Sequence, residues 1–283
     1  RFLELQVLSG RTFEYARKLL SLAASEIESH LSAHEYVVDR ASVDAMYKIV
    51  RPHVLLTGFS EQDVDVQVYC ACKRSLLSSD DAALTYSLWL MSVPEWQHGT
   101  PDLRELAARL PAIFAGIERS VSHPLQWQIA PRIKNESIYF RIFRELVMFH
   151  EHDAEAIISD PHKLDAYVTE FLHKRYEREN ERIKSSGIRA VLYLFMTKMT
   201  VALVVEVPYE KIFLGGIHYV PLMTNLFFHP ALLFALTRRV RSLGGGNTES
   251  ILKGMHRIAY TGEGRTIRIY TRYTEFTRFF ASL

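Results

Sequence analysis

From Ile212 to Thr237 the chain runs for 26 residues without a single Asp, Glu, Lys or Arg. About 20 apolar residues in an α-helix cross a hydrocarbon core of roughly 30 Å, so this stretch is long enough to leave water altogether. Any fold must either bury it or give it lipid. Gly215, Gly216, Pro221 and Pro230 would break a soluble helix, yet such residues are tolerated inside bilayers where neighbouring helices satisfy the freed backbone groups, so a kinked or broken helix is expected. Just upstream, Ile188–Val207 is nearly as apolar. Between Arg189 and Glu206 lie 16 residues interrupted only by Lys198, or about 24 Å of helix. A lysine at mid-span costs about 2.5–3.5 kcal/mol, which several Leu, Val, Phe and Ile residues at about 0.3–0.6 kcal/mol each can offset. The two segments together predict an apolar helical hairpin over residues 188–237, inserted in a membrane as a spanning or re-entrant element. The competing arrangement is a soluble bundle with the same hairpin as its core.

The flanks favour the membrane. Lys174, Arg175, Arg178, Arg182, Lys184 and Arg189 precede the hairpin and Arg238, Arg239 and Arg241 follow it, whereas Lys211 is the only cation in the turn. Positive-inside placement then puts both ends on the cytoplasmic side, where basic residues also meet anionic lipid headgroups. Within the hairpin, Lys198, His218, Asn225 and His229 are polar groups in an expensive setting, with helix–helix hydrogen bonding as their first expected role.

Elsewhere the periodicity is helical, so the fold class expected is mainly α: a helical array, the hairpin, and a short C-terminal segment of β character. From Thr12 to about Tyr36, Phe13, Ala16, Leu19, Leu20, Ala23, Ile27 and Leu31 predict one amphipathic helix, and Ser42 to about Arg51 a second. Ser60 with Asp63 reads as a capped helix start, Ser79–Met91 as another helix, and Pro101 as the opening of one that Pro111 should kink. Ser120–Pro131 reads as a connection, followed by helices from Asn135 and from Asp160-Pro161. Gly244–Gly246 reads as a flexible joint, and Arg265–Tyr273 alternates like a strand. The divisions implied are an N-terminal helical domain (1–130), amphipathic helices with a basic juxtamembrane segment (131–187), the hairpin (188–237) and a basic, aromatic C-terminal segment (238–283).

No catalytic constellation is complete. Signatures of kinases, P-loop proteins, Rossmann enzymes, α/β-hydrolases and zincins are missing. His150, His152 and Asp153 form the densest group of metal-ligand types, which gives an alternative reading as a soluble metal-dependent hydrolase. Yet they fall where a helix ends, and capping accounts for histidine there. Glu26, His30 and His34 share a helical face without the internal glutamate of a zinc protease motif. Cys70 and Cys72 are the only cysteines; their spacing suits core packing, and their scarcity a reducing compartment. No signal peptide is expected from the opening residues. A net charge of +2 argues against a surface built for nucleic acid, which leaves the arginines from Arg265 to Arg278 as the basis of a nucleic-acid alternative. The leading expectation is a non-enzymatic, cofactor-free helical scaffold on a membrane, whose partners are lipid and a protein partner or second copy of the chain.

Overall fold

Polar side chains start several of the helices. Ser60, Asp80, Asp102 and Asp160 each accept hydrogen bonds from first-turn amides that have no partner within the helix. The computed structural model describes residues 1–10, 15–56, 58–99, 101–213, 219–239 and 246–269. In chain order these form α1 (Phe2–Leu8), α2 (Ala16–Leu31), α3 (Ala33–Val50), β1 (Val54–Leu56), α4 (Glu61–Leu77), α5 (Asp81–Ser92), α6 (Glu95–His98), α7 (Leu103–Val121), α8 (Gln126–Phe149) and α9 (Ala154–Ser159). There follow α10 (Pro161–Val201), a π turn at Ala202–Glu206, α11 (Val207–Phe213), α12 (Tyr219–Arg239), α13 (Gly246–His256), a second π turn at Arg257–Thr261, and β2 (Ile267–Ile269). The protein is therefore mainly helical, as the periodicity predicts.

The chain divides into two compact units, Arg1–Ser159 with Gly254–Leu283, and Asp160–Lys253. In the first, α1, α2, α5 and α7 enclose one core in which Leu19, Leu22, Trp89, Leu110 and Phe114 are buried. A second core lies between α3, α4 and α8, with Met46, Val68, Ile129, Ile133 and Phe140. Each such side chain contributes about 1.5–3 kcal/mol on burial. Cys70 belongs to the first core and Cys72 to the second, because residues two apart on a helix point about 200° apart. Both thiols are fully buried, and burial pushes Cys70 up to about 11 and raises Cys72 as well. They are packing residues, as the spacing predicts.

The C-terminal strand closes this unit. β2 runs parallel to β1, with Val54 opposite Ile267 and Leu56 opposite Ile269. The strand character expected of Arg265–Tyr273 is thus realised at its start, and residues from Tyr270 onward lie outside the described set. Gly264 permits the approach: a Cβ there would sit 2.6 Å from the Ile49 carbonyl oxygen and 2.7 Å from the His53 ring.

Three expectations change. The single helix over 12–36 and the separate one from Ser42 become α2 and α3, broken at Ser32 and rejoined from Ala33. Residues 12 and 13 are outside the described set, and Leu20, Ile27 and Leu31 are 71%, 60% and 82% exposed. α2 packs on α5 whereas α3 packs on α4 and α8, so the break lets successive segments bury different faces. The connection expected over Ser120–Pro131 is largely helix, since α8 starts at Gln126 and α7 runs through Pro111 to Val121. Pro131 forfeits one helical amide, which buried Leu125, Ile129 and Ile133 outweigh.

Candidate functional site

In the second unit α10 and α12 pack together, with the Phe195 and Phe227 rings 5.6 Å apart and Ala202, Leu226 and Pro230 buried. At 100° per residue, the half-buried Val191, Leu194, Phe195 and Lys198 share one side of α10. Exposed Ile188, Leu192, Tyr193, Met196, Met199 and Val201 sweep about 220° of the remainder. There is no polar face. Even the threonines there are internally satisfied: Thr197 donates to the Tyr193 carbonyl at 2.8 Å and Thr200 to that of Met196 at 2.9 Å. Thr224 does the same on α12, donating to Val220 at 2.9 Å. The surface continues through Leu203, Val204 and Val205 of the π turn, exposed by 59%, 68% and 57%, and on α12 through Val220, Phe228 and Leu232. An apolar patch of this extent on a water-soluble chain marks an interaction surface.

The sequence candidates fall around it. One continuous helix, Pro161–Tyr209, has the length and composition to cross a membrane, and only 6% of its apolar window is buried. Lys174, Arg175, Arg178, Arg182, Lys184 and Arg189 are exposed along α10, and all but Lys184 lie within an arc of about 100°. Lys174 pairs with Glu170 at 2.5 Å. Lys198 is turned towards the α12 side and makes no ion pair among the described residues. His229 is exposed with its ring 5.5 Å from that of Phe228. His218 and Arg241 lie outside the described residues, and Asn225, Arg238 and Arg239 are placed only as helical backbone of α12.

His150, His152 and Asp153 are all exposed on the turn after α8, where the His150 carbonyl accepts the Asp153 and Ala154 amides. Among the described residues no three His, Cys, Asp or Glu side chains are grouped to hold a metal ion, those of this cluster and of Glu26, His30 and His34 included. The break at Ser32 separates His30 from His34, and Glu26 accepts the Trp96 indole N–H at 3.0 Å.

Sequence reasoning missed a cavity of about 440 Å³ in the first unit, walled by α2, α3, α4, α5 and the 94–98 segment. Tyr36, Tyr69 and Tyr86 form much of its wall and Lys73 projects from α4. The Lys73 ammonium donates to the Ala83 carbonyl at 3.1 Å and to the Ser87 hydroxyl, and no carboxylate pairs with it among the described residues. Burial lowers its pKa, partly opposed by Cys70, Asp39 and Asp80 at longer range. Asp39 and Glu35 on the same wall are bound by Arg144. Burial also raises the three phenols, Tyr69 to about 12, so all are neutral donors near pH 7. Its one sequence signal is a lysine within the run Cys70–Leu76, whose other residues apart from Arg74 are buried. Compared with protein-family models, curated proteins and solved structures, the chain matches none.

Proposed function

We propose that the protein is a membrane-associated helical scaffold, its first unit held at the cytoplasmic face by an inserted hairpin of α10 and α12. The observation that carries this reading is the apolar surface of α10, exposed over about 220° with no polar side. A helix lying in the headgroup plane keeps a charged face towards water, whereas one surrounded by lipid is apolar all round. Internally bonded threonine hydroxyls suit the same setting, since nothing in hydrocarbon would accept them.

Connectivity supports a hairpin over a single span. β1 pairs with β2, and Arg257 donates to Glu136 at 2.6 Å, so residues before α10 and after Gly254 belong to one unit on one side of any bilayer. The chain between them then crosses an even number of times. Residues 219–237 of α12 provide about 28 Å of uncharged helix as the return, and α10 with the π turn after it about 24 Å between Arg189 and Glu206. Both are a few ångströms short of the hydrocarbon core, a mismatch that local thinning and snorkelling of Arg189 absorb at small cost. Scaffolding through the first unit, by way of a protein partner or a second copy, is the activity this reading assigns.

The test is flotation of the purified full chain with phosphatidylcholine vesicles containing phosphatidylserine. Co-migration that survives alkaline carbonate is expected. Protein that stays at the bottom of the gradient, monodisperse without detergent, would end the proposal.

A further inference from the structure

The cavity in the first unit sets an unusual requirement. Lys73 presents its ammonium at the wall with two neutral acceptors, the Ala83 carbonyl and the Ser87 hydroxyl, and its remaining hydrogen has no anion to meet among the described residues. A partly desolvated cation whose nearest carboxylates act only at longer range is stabilised by an anion that reaches it. Beside it stand neutral phenols and apolar side chains, including Leu90 and Met91, and the volume lies within the range of about 300–1,000 Å³ that holds small molecules. Of the carboxylates on the same wall, Glu35 and Asp39 are paired with Arg144, so they leave the Lys73 ammonium open to a guest with a single negative charge.

We infer that this cavity binds a small aromatic monocarboxylate, with its carboxylate on the Lys73 ammonium and its ring against the walls of Tyr36, Tyr69 and Tyr86. Ser87 holds the ammonium in place and the phenols offer hydrogen bonds to the second carboxylate oxygen. The inference is independent of membrane insertion, because every wall residue belongs to the first unit.

The probe is 2-naphthoate, titrated calorimetrically into the full chain in phosphatidylcholine nanodiscs with empty discs subtracted, beside the neutral isostere 2-naphthamide. Saturable binding of naphthoate at least roughly tenfold tighter than of naphthamide is expected, with Lys73→Met abolishing that preference. A parallel measurement needs no variant: naphthoate should slow acetylation of Lys73 in the wild-type chain by at least severalfold, read by mass spectrometry, and leave exposed Lys163 unchanged. Equal binding of acid and amide, no saturation at millimolar naphthoate, or unprotected Lys73 would each overturn the inference. If Lys73 serves only to tie α4 to α5, the variant lowers stability while the acid and the amide bind alike in the wild type.

Discussion

Glu136 is 3% exposed and is paired inside the first unit with the Arg257 guanidinium, which also lies 5.9 Å from the Tyr139 ring. Replacing it with glutamine leaves a half-buried cation with a weaker acceptor. Glu136→Gln is expected to cost about 2–3 kcal/mol, the lower end for a broken buried pair because Arg257 keeps some contact with water. Trp89, Trp96 and Trp127 all belong to this unit, so denaturation followed by tryptophan fluorescence reads the loss directly. His123 makes a pH-dependent contribution. Its Nδ1 accepts the Leu125 amide at 3.2 Å, which only the neutral ring can do, and burial holds its pKa below the usual histidine value against the pull of Asp63. The unfolded chain therefore takes up this proton first. The contribution is complete above about pH 6.5 and is lost as pH falls from there through the folded-state pKa. His123→Asn, which retains an acceptor but does not titrate, should flatten the acid limb of the stability profile; an unchanged slope would assign that limb elsewhere.

Among the elements, α10 carries two chemistries along one axis. If it enters the bilayer steeply at Arg189, Lys184 stands about 8 Å back and Lys174 about 22 Å, against a screening length near 8 Å in physiological salt. Arg189→Gln with Lys184→Gln should then weaken binding to phosphatidylserine vesicles severalfold, and Lys174→Gln with Arg178→Gln hardly at all. Equal effects in a co-sedimentation titration would mean that the helix lies along the surface. α13 depends on a close approach: a Cβ at Gly254 would fall within the Tyr139 ring of α8. Gly254→Ala should force the two apart at about 1–3 kcal/mol, seen as a lower fluorescence midpoint. Neither this approach nor the break between α2 and α3 was legible in the sequence. A glycine before a methionine carries no periodic signal, and the α2–α3 break at Ser32 has no proline or glycine to announce it.

At the scale of the molecule, a spanning hairpin would put the start of α10 and the turn at α11 on opposite sides of a bilayer. Cys70 and Cys72 are buried, so a cysteine introduced on the surface is the one that an impermeant maleimide reads. Ser185→Cys, before the apolar part of α10, and Lys211→Cys, in α11, occupy exposed positions. In proteoliposomes of one orientation they are expected to label from opposite faces. Labelling of both from the same face would leave a re-entrant hairpin, with the first unit still on one side.

Several things about this protein were settled by the order of residues alone. The helical class followed from apolar spacing, the capped starts from Ser60 and Asp160, and the two greasy helices from the near-absence of charge over residues 190–205 and its complete absence over 212–237, since periodicity, capping and hydropathy are local properties. What decided the rest was packing between residues distant in sequence. Only the folded chain joined β2 to β1, left one side of α2 in water, kept His150, His152 and Asp153 on an exposed turn, and gathered Lys73 with three tyrosines from separate helices around a cavity. Such neighbours are chosen by which faces bury together, and no spacing along the chain records that choice.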